Sequence, residues 1–111
     1  MVIAVSKLAP NYEAWLKVLC RDVTIIDMYP LPLREALKQA SGAAGILLSG
    51  GSDIHPVLYD RPKELHLCKD IDDKRDTIEL ALIEMAFRLK LPMLGICRGL
   101  QLMNVAATGS L

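Results

Sequence analysis

The chain has 111 residues, of which 13 are basic, 13 are acidic and 52% are hydrophobic. This length allows one modest domain at most. The balanced charge gives no basic surface for nucleic acid or an anionic membrane, and no apolar run is long enough to span a bilayer. The chain opens on a strand-like run, Val2-Ile-Ala-Val5, with no basic region before it, so we expect no signal peptide.

Short apolar runs alternate with helical patterns along the chain. The first strand is predicted over residues 2–6, followed by a helix over 11–19 that Asn11 is placed to cap. A β-branched run over 23–26 predicts the second strand. Pro32 can start the next helix, over 33–40, and Gly42 is its expected C-terminal cap. A third strand is predicted over 44–48.

A polar, proline-bearing loop is expected from residue 49 to about residue 70. The strongest helical pattern follows, over 72–90, where Ile78, Leu82, Met85 and Leu89 form one apolar stripe. Further apolar residues, among them Phe87, widen this face and predict a helix that is covered on more than one side. A fourth strand over 92–96 and a helix over 98–106 complete the order. This alternation predicts an α/β domain with a parallel sheet between helices.

The three cysteines, Cys20, Cys68 and Cys97, are odd in number and widely spaced. They favour a reduced, cytoplasmic protein over a disulfide framework. His66-Leu-Cys68 is the one close pair of potential metal ligands, and no second pair accompanies it. We therefore expect no metal and no cofactor.

Cys97 lies between the fourth strand and the last helix, with Gly95 and Gly99 two residues away on either side. This spacing is the nucleophile-elbow pattern with cysteine in place of serine. A tight strand-to-helix turn crowds the backbone, so residues without Cβ are needed beside the nucleophile. Free N–H groups at the start of the helix favour a thiolate. The alternative is that Cys97 is a buried structural cysteine.

Gly50-Gly51 ends the third strand, and Cys97 ends the fourth. In a parallel sheet, ligands bind beyond the carboxyl ends of the strands, so both features are expected on one rim. Cysteine attack on a carbonyl needs fixed N–H donors for the oxyanion. Arg98 supplies one, and Gly50-Gly51 is the expected source of the second. An ordinary turn is the alternative for the two glycines.

Three segments resemble a known family. Ala44-Gly-Ile-Leu-Leu-Ser-Gly-Gly-Ser-Asp-Ile-His-Pro-Val-Leu-Tyr59 resembles the glycine-rich segment of class I glutamine amidotransferase-like proteins. Lys74-Arg-Asp-Thr-Ile-Glu79 and Pro92-Met-Leu-Gly-Ile-Cys-Arg-Gly-Leu-Gln-Leu-Met-Asn-Val105 continue the likeness in order. The Gly-Ile-Cys-Arg-Gly-x-Gln string is most similar to the gamma-glutamyl-gamma-aminobutyrate hydrolase-like cysteine peptidases.

The resemblance implies a flavodoxin-like three-layer sandwich with a mostly parallel sheet, of which residues 1–111 would be the N-terminal part. It implies a Cys-His-Glu triad that hydrolyses a small gamma-glutamyl amide through a thioester. Carried onto this chain, Cys97 is the nucleophile, Gly51 and Arg98 give the oxyanion N–H groups, and Gln101 and Gly50 contact the substrate. The matching residues of the loop and the long helix are expected to be structural, with Asp76 three residues before Glu79 in a capping arrangement. Those residues are Asp53, Pro56, Tyr59, Asp76 and Glu79, and Arg75 also matches the family.

The histidine and glutamate of that family follow the elbow by a long interval, in a half that this chain does not contain. We therefore expect a fragment of a gamma-glutamyl hydrolase that is inactive alone, with His55 and His66 as the internal candidates for a base. An apolar edge is expected to favour association with a second copy or with the C-terminal half.

Three alternatives remain open at this point. One is a catalytically dead module that binds a gamma-glutamyl ligand or a partner protein. Another is an ammonia-delivering glutamine amidotransferase subunit, although Arg98 after Cys97 favours the hydrolases. The third is an elbow-cysteine protein of the protein-deglycase type, which would lack the Gly-Gly-x-Asp-x-x-Pro pattern of Gly50 to Pro56.

Overall fold

The computed structural model describes residues 1–111 and contains four strands and four α-helices. The strands are β1 (Val2–Val5), β2 (Thr24–Asp27), β3 (Gly45–Leu48) and β4 (Met93–Gly95). The helices are α1 (Pro10–Leu19), α2 (Leu33–Ser41), α3 (Asp73–Leu89) and α4 (Arg98–Ala106). The segment predicted as a polar loop also contains two 3₁₀ helices, Pro56–Tyr59 and Pro62–Leu67. None of the helices is both long enough and apolar enough to cross a membrane.

The four strands form one parallel sheet in the order β2-β1-β3-β4. The chain moves outward from β1 through α1 to β2, and then returns through α2 to β3 on the other side of β1. Because such crossovers are right-handed, α1 lies on one face of the sheet and α2 on the other. This order is the flavodoxin-like one, and the predicted α/β fold is confirmed.

The core lies on the face of the sheet that α2, α3 and α4 cover. Alternate strand residues such as Ala4, Ile46 and Leu48 point into it, because successive side chains of a strand face opposite sides. They pack with Leu82 of α3 and Leu102 of α4. This packing holds the first turn of α4 against the end of β3, where the candidate site lies.

Two details of the helix predictions are wrong. Asn11 does not cap α1: the helix begins at Pro10, and Ala9 precedes it without any side-chain hydrogen bond. Proline suits the first helical position because its φ is preset and its missing N–H would be unpaired there in any case. In α3 the predicted stripe is buried at Ile78, Leu82 and Met85 but not at Leu89, which is 46% exposed. Phe87 is 68% exposed because no element covers that side of the helix.

Candidate active site

Cys97 occupies the turn between β4 and α4. Its backbone has φ 50° and ψ −108°, and its side chain is exposed. A non-glycine residue at positive φ costs about 1–3 kcal/mol, and such residues concentrate at functional sites. The exposed position excludes the alternative of a buried structural cysteine.

The two flanking glycines are required by close packing. A Cβ on Gly99 would lie 2.2 Å from the Leu48 carbonyl oxygen and 2.7 Å from the Leu48 Cβ. A Cβ on Gly95 would lie 2.7 Å from the carbonyl carbon of Gly99. The first turn of α4 therefore rests directly on the end of β3, and the turn can be this tight only without side chains at both positions.

The glycine loop lies beside the elbow on the same rim of the sheet. Leu48 of β3 pairs with Gly95 of β4, so Gly50 is expected opposite Cys97, two residues further along each strand. A Cβ built on Gly50 would lie 3.6 Å from the Cys97 Cβ.

The two glycines differ in the state of their N–H groups. The Gly50 N–H donates to the Tyr12 hydroxyl at 2.8 Å and is therefore occupied. The Gly51 N–H and the Arg98 N–H donate no hydrogen bond within the chain. Of the N–H groups expected to bind the oxyanion, those of Gly51 and Arg98 are thus free of partners within the chain. The role of Tyr12 could not be predicted from the sequence, because an aromatic residue in α1 carries no local signal of a contact 38 positions away.

Four charged side chains are buried beneath this rim. The Arg98 Nη2 lies 2.5 Å from the Asp76 Oδ1, and the Arg75 Nε donates to the Glu79 Oε1 at 3.0 Å. The Arg98 Nε and the Glu79 Oε2 are 3.2 Å apart, an ion pair whose angles do not form a hydrogen bond. Two guanidinium groups thus balance two carboxylates, the condition under which buried charge is tolerated.

This cluster replaces the predicted capping arrangement. Asp72, rather than Asp76, caps α3, because its carboxylate accepts the Arg75 N–H at 3.0 Å. Asp76 and Glu79 instead face inward and bind arginines. Their expected structural role holds, but through buried ion pairs.

The buried cluster is bonded to the glycine loop. The Arg75 Nη2 donates to the carbonyl oxygens of Ser49 and Gly50, each at 2.9 Å, and to the Ser49 Oγ at 3.0 Å. The Arg98 Nη1 donates to the Ser52 carbonyl at 3.2 Å. The sequence does not predict these contacts either, since the resemblance includes Arg75 but does not indicate which groups its side chain binds.

Comparison with known proteins adds the family. Residues 24–111 match the sequence profile of Peptidase C26. The chain belongs to the Peptidase C26 family. It is 43% identical over 67 residues to a Schizosaccharomyces pombe protein, PB2B2.05, which is named provisionally as a glutamine amidotransferase, and the match covers 60% of this chain and 26% of that protein.

Two bacterial relatives match a similar share of this Peptidase C26 chain. The YvdE homolog of Lactococcus lactis subsp. cremoris, named provisionally as glutamine amidotransferase-like, is 46% identical over 66 residues, 60% of this chain and 35% of its own length. The gamma-glutamyl-gamma-aminobutyrate hydrolase of Escherichia coli O157:H7 is 42% identical over 72 residues, 60% of this chain and 26% of its own length. The matched region thus spans between a quarter and about a third of these relatives.

Both histidines of this Peptidase C26 chain are engaged in their own loop. The His55 Nδ1 accepts the Val57 N–H at 3.2 Å and caps the first 3₁₀ helix. The His66 Nδ1 is paired with the Lys63 carbonyl at 2.9 Å. Neither imidazole is hydrogen-bonded to Cys97, so neither is arranged as its base.

Gln101 lies one helical turn beyond Cys97, and its N–H donates to the Cys97 carbonyl at 3.0 Å. Its exposed side chain borders a cavity of about 310 Å³ between α4 and the loop, together with Asp53 and Tyr59. Burial, together with the hydrogen bond to Cys68, raises the pKa of Tyr59 to about 12, so this phenol stays neutral in the cavity wall. Asp53 accepts the Lys69 N–H at 2.8 Å and therefore shapes the loop.

Asp72 lines a separate cavity together with Gly50 and Gly51 of the glycine loop. Burial by itself raises the pKa of this carboxyl. Hydrogen bonds from the Arg75 N–H and the Tyr29 hydroxyl, together with the charges of Lys7 and Arg75, outweigh burial and lower the pKa below its ordinary value. Asp72 thus stays ionised at the N-terminus of α3, where negative charge is favoured.

Proposed function

We propose that this chain carries the nucleophile and the oxyanion donors of a cysteine hydrolase that cleaves the C–N bond of a gamma-glutamyl amide. The observation that carries the proposal is Cys97, an exposed thiol at positive φ on the same rim of the sheet as the glycine loop, together with the free N–H groups of Gly51 and Arg98. Membership in Peptidase C26 and similarity to a gamma-glutamyl-gamma-aminobutyrate hydrolase support the substrate class.

The chemistry follows from these groups. The Cys97 thiolate attacks the gamma-carbonyl carbon, a C–S bond forms, and the carbonyl oxygen becomes an oxyanion. The N–H groups of Gly51 and Arg98 stabilise that charge, since fixed donors cost little reorganisation at the moment of reaction. The C–N bond then breaks, the amine leaves with a proton, and water hydrolyses the thioester to release glutamate and restore the thiol.

Gln101 is the proposed contact for the glutamyl part of the substrate. Its carboxamide carries both a donor and an acceptor and borders the cavity between α4 and the loop. Gly50 is the second proposed contact, because a residue without Cβ lets the substrate approach the Cys97 side chain closely.

We further propose that efficient turnover needs a base from outside residues 1–111, which would then be the N-terminal part of a longer domain or would work with a second chain. The bonds of His55 and His66 to their own loop support this step. The three unpaired cysteines fit a reducing, cytoplasmic compartment.

Glutamine is itself a gamma-glutamyl amide, with ammonia as its leaving group. The provisional names of the S. pombe and L. lactis relatives favour it as a second candidate substrate. The nucleophile and the oxyanion donors would act identically on both substrates, so the amine half distinguishes the two functions.

The test uses the purified chain and Cys97→Ser. With gamma-glutamyl 4-nitroanilide we expect no multiple turnover, because the amine leaves only when an acid protonates it. With 4-nitrophenyl acetate, whose leaving group needs no proton, we expect one acetyl group per chain on Cys97, detected by peptide mass mapping. Repeated turnover of the anilide that is lost in Cys97→Ser would refute the need for an external base. Failure of the ester to acylate Cys97 would refute the nucleophile.

A further inference from the structure

The four buried charged side chains beneath the elbow have a role besides neutralising one another. Replacing a buried ion pair with apolar residues of similar volume is often neutral or stabilising, so stability alone does not explain four buried charges. The cluster also connects the two segments that carry the free N–H groups. Its geometry therefore bears on the reaction, and this inference rests on the proposed function.

The first connection sets the direction of the Gly51 N–H. The Gly50 carbonyl belongs to the same peptide unit as that N–H, and in a trans peptide the two point in opposite directions. The Arg75 Nη2 holds the Gly50 carbonyl toward the protein interior at 2.9 Å. The Gly51 N–H is consequently directed outward, away from the buried guanidinium.

The space around Gly51 reinforces this arrangement. Gly51 has φ 151°, and a Cβ at this position would lie 2.1 Å from the Arg75 Nη1. The guanidinium thus packs directly under the glycine and leaves the loop little room to rotate.

The second connection concerns the Arg98 N–H. It shares a peptide unit with the Cys97 carbonyl, which accepts the Gln101 N–H inside α4. The carbonyl therefore points along the helix and the Arg98 N–H points back toward the elbow. The Arg98 side chain is 1% exposed and is anchored by Asp76 and by the Ser52 carbonyl.

Glu79 joins the two anchors. Its Oε1 accepts from the Arg75 Nε at 3.0 Å, and its Oε2 lies 3.2 Å from the Arg98 Nε. We infer that Arg75 and Glu79 are positioning residues, which fix the direction and separation of the Gly51 and Arg98 N–H groups. One carboxylate thereby couples the glycine loop to the elbow.

The inference is tested by two reactions at the same sulfur. Acylation by 4-nitrophenyl acetate forms a C–S bond and a transient oxyanion, and then releases 4-nitrophenolate. Alkylation by iodoacetamide forms a C–S bond and releases iodide without any oxyanion. Both rate constants depend on the exposure and ionisation of the Cys97 thiol, so these factors cancel when the rate constant for acylation is divided by that for alkylation. This ratio therefore measures how well the N–H donors stabilise the oxyanion.

The variant is Arg75→Lys, which keeps the positive charge but loses the guanidinium whose Nη2 donates to the Gly50 carbonyl. The matched control is Met85→Ala, a core truncation in the same helix that lies six residues beyond Glu79 and is therefore not its i,i+3 or i,i+4 neighbour. We expect the ratio to fall about tenfold to a hundredfold in Arg75→Lys, since small misplacements of catalytic groups have effects of this size. The ratio should stay unchanged in Met85→Ala, with circular dichroism establishing that each variant is folded.

The outcomes distinguish the proposed oxyanion site from the positioning role of Arg75 and Glu79. If the wild-type ratio does not exceed that of the urea-unfolded chain, the oxyanion site and this inference both fail. If the wild-type ratio is elevated and Arg75→Lys matches it, the inference alone fails. Should Arg75→Lys not fold, Glu79→Asp provides the same comparison, because it keeps the charge while shortening the bridge between the two arginines.

Discussion

Substituting Gly99 with alanine tests the packing that creates the elbow. The added Cβ would lie 2.2 Å from the Leu48 carbonyl oxygen, whereas ordinary van der Waals contact begins at 3.4 Å. The obstructing atom belongs to the backbone of a central strand, so no side-chain rotation relieves the contact. The first turn of α4 must move away from β3 instead, by roughly the missing 1.2 Å.

Two effects of opposite sign determine the result. Alanine is favoured over glycine inside a helix by about 1 kcal/mol. Overpacking a close contact costs about 1–3 kcal/mol and occasionally more. Because this contact is short and rigid, we expect the clash to win and the free energy of unfolding to fall by about 1–2 kcal/mol.

The assay is urea unfolding followed by far-ultraviolet circular dichroism. With a slope of about 2 kcal/mol per molar urea, this loss lowers the midpoint by roughly 0.5–1 M. Gly42→Ala is the matched control: Gly42 has φ −92°, and its nearest atom to an added Cβ is the Gln39 carbonyl oxygen at 3.8 Å. It should leave stability unchanged or raise it slightly, since alanine also restricts the unfolded chain. A midpoint for Gly99→Ala at or above that of the wild type would refute the packing argument.

Two further predictions concern Cys97 and Asp72. Limited iodoacetamide at about pH 7 should label Cys97 before Cys20 and Cys68, because only Cys97 is exposed; peptide mapping checks this, and earlier labelling of either other cysteine would contradict it. Because its pKa is lowered by folding, the Asp72 carboxylate contributes stability above about pH 4 that is lost as pH falls through the folded value. Urea midpoints should therefore show that Asp72→Asn, which can still cap α3, is less stable than the wild type near pH 7, and that this difference in stability narrows as the pH falls below about 4. A difference in stability between Asp72→Asn and the wild type that stays constant over this pH range would count against the carboxylate.

The elements were predictable because each is marked by a local pattern. Strand runs, the stripe of α3 and the glycines around Cys97 depend on residues a few positions apart. The predictions were wrong where another residue preference or the tertiary packing overrode the local pattern. Asn11 is a good capping residue, but Pro10 begins the helix before it. Phe87 is as apolar as its neighbours in α3, but only packing decides which side of a helix is covered.

The sequence by itself determined the order of the elements, the position of Cys97 at a strand-to-helix turn and the need for glycine beside it. Only the tertiary structure decided which donors are free: the Gly50 N–H binds Tyr12, while the Gly51 N–H has no partner. The same holds for the buried charges. Spacing alone allows Arg75 to meet Glu79 within α3, but the contact of Asp76 with Arg98, 22 residues away, exists because α4 packs against α3. Contacts between distant residues depend on how elements pack, and a local pattern carries no record of that.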